Sequence, residues 1–209
     1  MYRRAWACLF AILFAGMLHA QVPRVRRGEF PPFPPKSGTA SLNVDLAPLP
    51  PTFRGEMLEY LCNSSPLIIT GTVESSSVRV NGRGLETDSV LRIDSVIKGT
   101  VTASRVVVSQ SGGTMGEFKI ITEQYSLMKA GERYVLFLQE DRRNQLPPQP
   151  SDVRRYAITR AWEGTFRIDD EQKVRLAPAV PTTLREKFEG MHIEEAMTHI
   201  RYWSAPTRP

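Results

Sequence analysis

GERYVLFLQED, residues 131–141, opens as a polar turn and then runs five apolar residues without a break, Tyr134 to Leu138. Successive side chains of a strand point to opposite faces, so an unbroken apolar run requires cover on both. One face must look into a core, and the other must lie under a helix, a loop or a second layer of sheet. The stretch therefore reads as the central strand of a β protein, and the rest of the chain is placed around it.

Upstream, PLIITGTVES (66–75) is a continuous, β-branched run interrupted by Gly71, where a bulge or bend is expected. In SVRVNGRG the alternation of Val78 and Val80 ends in Asn81-Gly82, a hairpin-turn signal. In TDSVLRIDSVIKG (87–99) the apolar positions change phase, from Leu91 and Ile93 to Val96 and Ile97, as a β-bulge requires. SRVVVSQ (104–110) predicts another strand and residues 118–121 a weaker one. After a polar proline loop (142–153), RYAITRAW, GTFRID and KVRLA follow with turn signals between them. Helical spacing occurs only at the ends. GEMLEYLC (55–62) sets Met57, Leu58, Leu61 and Cys62 on one face. PTTLREKFEG places Thr183 and Glu186 in capping-box spacing and stops at Gly190. HIEEAMTHIRYW repeats Ile193, Ala196, Met197, Ile200 and Trp203 as an apolar stripe for which the sheet is the expected cover. Six or seven short, bent strands with terminal helices predict a mainly β fold. Its form is a small antiparallel β-barrel with a short N-terminal helix and one or two C-terminal helices.

The chain begins MYRRAWACLFAILFAGMLHAQ: a basic pair, Arg3 and Arg4, an apolar run from Ala5 to Leu18, then small Ala20 before Gln21. This is the pattern of a signal peptide over residues 1–20, with Leu18 larger than usual at its position. The alternative is an uncleaved anchor, for which the run falls short of the roughly 20 residues that span a bilayer. The expected location is secreted or periplasmic, with no stable membrane insertion after cleavage. Residues 21–52 hold eight of the sixteen prolines, including PPFPP and PLPP, and read as a disordered tether dispensable for stability. A proline-motif ligand is the sharper alternative for the same stretch. Residues 53–203 then form the barrel domain with its helices, and residues 204–209 a tail.

The net charge of +5 invites a nucleic-acid reading, but the excess belongs to the leader and tether. From residue 55 onward, 20 Lys and Arg face 20 Asp and Glu, so the folded body lacks the overall basicity that nucleic-acid binding exploits. Cys8 leaves with the leader, which makes Cys62 a lone thiol and rules out an intrachain disulfide scaffold. The domain must be held by its core, with Cys62 expected to be buried and shielded.

GTV at 71–73, IDSVIKG at 93–99, VVV at 106–108 and GERYVLFL at 131–138 together resemble the OB-type barrel of netrin-like (NTR) modules. These include the tissue inhibitors of metalloproteinases and similar modules in secreted bacterial proteins. The resemblance spans about residues 61–176 and implies an OB/NTR-like barrel. The metalloproteinase inhibitors grip zinc through a cysteine at the mature N-terminus. Here Cys62 lies well inside the chain, so that inhibitory chemistry is not implied.

Candidate chemistry is sparse. His192, Glu195 and His199 fall at i, i+3 and i+7 on the last helix, but not in HEXXH spacing, and no metal site is expected. The plainer reading pairs Glu195 with His199 on a solvated face. No GxSxG is present and no catalytic residue is expected. Asn63-Ser64-Ser65 matches a glycosylation sequon. SQSGGTMGE (109–117) lacks the ending of a phosphate-binding loop and reads as a wide turn on the barrel rim. Within it Ser111, Gly112, Gly113, Thr114 and Met115 are the candidate binding residues. The expected function is a cofactor-free, non-catalytic binding or interaction module whose partner is a protein or an extracellular ligand, not nucleic acid. An extracellular protease inhibitor using rim loops is the first alternative. A metal-dependent or hydrolytic enzyme built on the C-terminal helix is the second.

Overall fold

The computed structural model describes residues 37–44, 46, 48–50, 56–82, 84–141 and 153–205. The expected signal peptide, the first half of the tether, most of the proline loop and residues 206–209 lie outside them. In chain order the elements are β1 (Ser37–Leu42), α1 (Met57–Ser64), β2 (Leu67–Asn81), β3 (Gly84–Lys98), β4 (Arg105–Ser111), β5 (Gly113–Met115) and β6 (Glu117–Thr122). Then come β7 (Arg133–Glu140), β8 (Arg155–Ile158), a 3-10 turn over Ala161–Gly164, β9 (Thr165–Ile168), β10 (Val174–Leu176), α2 (Thr182–Phe188) and α3 (Ile193–Ser204).

The main sheet has the order β10-β9-β7-β2-β3-β4-β8, and β8 also pairs with β7, so β7, β2, β3, β4 and β8 close a five-stranded ring. This is an OB-like barrel. All of its pairings are antiparallel except β4 with β8. One cluster of apolar side chains draws on every strand of the ring and fills the lumen: Leu67, Ile69, Val73, Leu91, Val106, Val108, Tyr134, Leu136, Leu138, Tyr156 and Ile158, with Met128 from the β6–β7 connection.

The opening stretch is the strand common to both layers. Tyr134, Leu136 and Leu138 enter the lumen, while Val135 and Phe137 point the other way into a larger cluster beneath the helices. That cluster joins β9 and β10 (Phe166, Ile168, Val174) to Leu58, Leu61, Leu184, Phe188 and the α3 stripe of Ile193, Ala196, Met197 and Ile200. The stripe is covered by α1 and α2 as well as by the sheet. Burying side chains of this size contributes about 1.5–3 kcal/mol each, which is why one strand with two covered faces anchors the fold.

The bulges read from the sequence are present. The β2–β3 register shifts between Thr70 and Gly71, between Ile68 and Ile69, and between Val73 and Ser75. A Cβ at Gly71 would stand 2.9 Å from Arg92 O, so the strands approach there as only glycine permits. In the hairpin Asn81 pairs with Gly84, which moves the turn one residue past the expected Asn81-Gly82.

Several elements differ from expectation. Two strands are 15 residues long and the described residues hold ten, where six or seven short ones were predicted. Residues 37–42, inside the expected tether, form β1 and pair in parallel with β6. SGTASL carries no proline, so its amides are free to join a sheet, and Ala40 and Leu42 pack with Leu85, Phe118 and Ile120 in a third cluster. Val44 and Leu46 continue the arm against the helix-side cluster. At α2 the N-cap is Pro181, whose carbonyl accepts from Arg185 N at 3.0 Å, so Thr183 already lies inside the helix and makes no capping box. The proline's fixed φ starts the helix two residues earlier than the Thr-Glu spacing suggested. Among the described residues no helix is long and apolar enough to cross a membrane.

Candidate functional site

The five residues expected on a rim loop are placed differently. Ser111 ends β4, Gly112 is the link, and Gly113, Thr114 and Met115 form β5 against β6. Gly112 N donates to Leu85 O at 2.7 Å and its carbonyl accepts from Thr87 Oγ1 at 2.7 Å. Both glycines are buried, and a Cβ at Gly113 would meet Val78 Cγ1 at 2.8 Å. Their positive φ values, 106° and 148°, let the chain leave the barrel for the small sheet β1-β6-β5. The glycines thus serve a crossing between two sheets, and Met115 packs inward on the third cluster. Thr114 alone of the five is exposed.

A more developed site lies beside the barrel, between the β6–β7 connection and strands β9 and β10. This groove of about 360 Å³ is lined by Gln110, Tyr125, Lys129, Glu132, Tyr134, Arg167, Arg175 and Pro178 among others. One of these residues, Gln110, is tied to the plug of the barrel, Met128. Met128 is buried in the lumen, and its backbone N donates to Gln110 Oε1 at 2.9 Å. Gln110, the penultimate residue of β4, is only 6% exposed, and its amide nitrogen has no hydrogen-bond partner among the described residues. Gly131 N donates to Val73 O at 2.8 Å and Val73 N to Glu132 O at 2.9 Å, which ties the last residues of the connection to the barrel.

Glu132 organises the charges. Its Oε2 accepts from Tyr134 OH at 2.5 Å and from Lys129 N at 2.9 Å, and its Oε1 lies 3.8 Å from the Arg167 guanidinium. Burial, reinforced by the Glu132 carboxylate, pushes the Tyr134 phenol far above its ordinary value. Burial pushes Tyr125 up to about 12, although its hydroxyl donates to Ser111 O at 2.9 Å. Both phenols therefore remain protonated at neutral pH. Arg175 is committed elsewhere, with Nε 2.7 Å from Asp169 Oδ2 and Nη1 3.6 Å from Glu189. Lys129 is exposed and enters no ion pair among the described residues. The groove thus offers hydrogen-bond donors and positive charge around one internally satisfied carboxylate.

The other candidates are held in structural roles. His192 is the N-cap of α3 and accepts from Glu194 N at 3.4 Å. His199 stands edge-on to Phe188, ring centroids 5.8 Å apart, instead of pairing with Glu195. Among the described residues no group of three or more His, Cys, Asp or Glu side chains is arranged to hold a metal ion. Cys62 is fully buried, with its thiol 3.7 Å from Ile200 O, and burial pushes its pKa up. Asn63 is exposed on α1.

Of the groove residues, Glu132 and Tyr134 belong to the stretch that stood out in the sequence, as part of the polar turn and the start of the apolar run. The others come from β4, the 123–132 connection, β9 and β10, which no local motif joins. A buried glutamine closing SRVVVSQ was the one available signal. No family model matches this sequence, and no curated protein matches it.

Proposed function

We propose that this chain is an exported, non-catalytic binding module that engages a protein partner through the groove beside its barrel. The observation that carries the reading is the filled lumen: twelve side chains, including the Met128 plug, occupy the interior. A ligand is therefore met on the outer surface, where the groove presents unpaired donors and cations on a rigid support. Strands hold Gln110, Tyr134 and Arg167, and hydrogen bonds hold the connection at Tyr125, Met128 and Gly131, which keeps the ordering cost of binding small. The two histidines and the thiol on which an enzyme reading would depend are engaged in capping, ring packing and burial.

The test is capture of exported proteins by the mature chain, compared with a Lys129→Glu/Arg167→Glu double variant of equal thermal stability. The proposal expects a discrete partner that the wild-type chain retains and the variant loses. Turnover of a peptide, ester or phosphoester substrate by the purified wild-type chain would overturn the non-catalytic part. Capture of nothing above the bare matrix would overturn the module reading itself.

A further inference from the structure

Resting on that reading, we infer that the groove is a carboxylate-binding site, and that the partner enters it with an acidic, extended segment. Three side chains carry this: Gln110, Lys129 and Arg167. Gln110 is more than nine-tenths buried, spends its oxygen on Met128 N, and is one of the residues lining the groove, while its amide nitrogen donates to no other described residue. Among the described residues the buried side-chain atoms left without a partner are Gln124 Oε1 and Ser204 Oγ, so the Gln110 nitrogen is reached by solvent and is free to donate to a ligand. Arg167 has one counter-charge, Glu132 at 3.8 Å, too long for a hydrogen bond, so its fork of N–H groups remains available. Lys129 adds an exposed ammonium.

The acceptor that suits this set is a carboxylate. Its planar oxygen pair matches the guanidinium fork and leaves a lone pair for the glutamine amide. Facing charges do not cancel the preference. Glu132 already accepts from Tyr134 OH and Lys129 N, while Asp169 and Glu189 neutralise Arg175 and remove it from the binding set. Two available cations are too few for a polyphosphate backbone, whose binding recruits many. A volume of about 360 Å³ admits one or two acidic side chains of a peptide and little more.

The experiment uses the mature 15N-labelled chain and an acetylated, amidated hexaglutamate peptide, with hexalysine, inorganic phosphate and a single-stranded oligonucleotide as parallel probes. Hexaglutamate should give saturable shifts at the Gln110 side-chain amide and the Arg167 Nε–H, and hexalysine none. Gln110→Glu preserves the acceptor for Met128 N and replaces the free donor with an oxygen, so affinity should fall at least tenfold. Lys129→Glu/Arg167→Glu should abolish the shifts, while Lys129→Arg should retain them, all with melting curves like that of the parent. Shifts scattered over the surface, or insensitive to these variants, overturn the inference. So does phosphate or the oligonucleotide binding the same residues as tightly as hexaglutamate. A partner still captured by the double variant sinks the carboxylate site and the groove as the place of engagement, and leaves standing only that the chain is a binding module. If the chain captures no partner while hexaglutamate still binds, the module reading falls and the site survives.

Discussion

Asp88, on β3, shows how a single side chain ties three other strands, β2, β4 and β8, to its own. Its Oδ2 accepts from Arg79 Nε at 2.8 Å and from Arg155, and its Oδ1 accepts from Ser109 Oγ at 2.7 Å. Burial alone would raise its pKa, but the bonds from Ser109, Arg155 and Arg79 outweigh it and hold the carboxyl below the ordinary 3.8. A depressed folded pKa contributes stability that is complete above the unfolded value and lost as pH falls through the folded one. Asp88→Asn should therefore destabilise the protein at neutral pH, by about 1–3 kcal/mol for bonds to charged groups. Part of that deficit should vanish below about pH 4, where the unfolded carboxyl protonates. Urea melts of both proteins from pH 7 to pH 3 would show the gap narrowing, and a constant gap would refute the assignment. At Cys62 the expectation is kinetic. A thiol reagent should label the native protein far more slowly than the urea-unfolded one, because the sulfur is buried against Ile200. Equal rates in the two states would place that thiol at the surface.

Among the elements, β7 is the one whose damage should be least tolerable, because it serves two cores at once. Leu136→Asn opens the lumen and Phe137→Asn opens the helix-side cluster, and both parent residues are fully buried. Large core truncations cost roughly 2–5 kcal/mol against the roughly 5–15 kcal/mol typical of a whole domain. Both variants should be largely insoluble in a side-by-side expression test, and one mild result would show that one face is not core. This strand was legible in the sequence because five consecutive apolar residues admit few other readings, and the β2–β3 bulges because a change of phase marks them. The arm was not. SGTASL is too small and polar to announce a strand, and it becomes one only by borrowing β6, whose Glu117 pairs with Ser37. Truncation separates the two halves of the expected tether. A chain starting at residue 47 loses β1, Val44 and Leu46 and uncovers Phe118 and Ile120, so its thermal midpoint should fall. At about 2–4 °C per kcal/mol for a domain of this size, a drop of several degrees is expected relative to a chain starting at residue 37. Equal midpoints would show that the arm contributes nothing.

At the scale of the molecule, two apolar clusters share one sheet, so neither has a boundary at which to come apart. The binding groove escaped the sequence for the same reason. Gln110 and Arg167 are brought together by ring closure, and their separation along the chain leaves no pattern to read. Among the described residues the tryptophans are Trp162 and Trp203, and both pack on the helix-side cluster. Fluorescence therefore follows one layer, while far-ultraviolet circular dichroism follows the strands. Denaturation curves from the two probes should coincide, as for a single cooperative unit. An earlier fluorescence transition would mean that the helices leave a barrel able to stand alone.

The parallel pairing of β4 with β8 sets an order on events in time. Of the ring strands, β2, β3 and β4 are joined by local connections and can associate as soon as they exist. The free edge of β4, however, must wait for β8, and 46 residues separate Ser109 from Arg155 across that gap. Contacts so distant along the chain cost loop entropy before they return any burial, and they slow folding accordingly. A nascent chain that has not yet delivered residue 158 cannot close, however much of it has left the ribosome. Until β8 has emerged the ring stays open and the chain threadable.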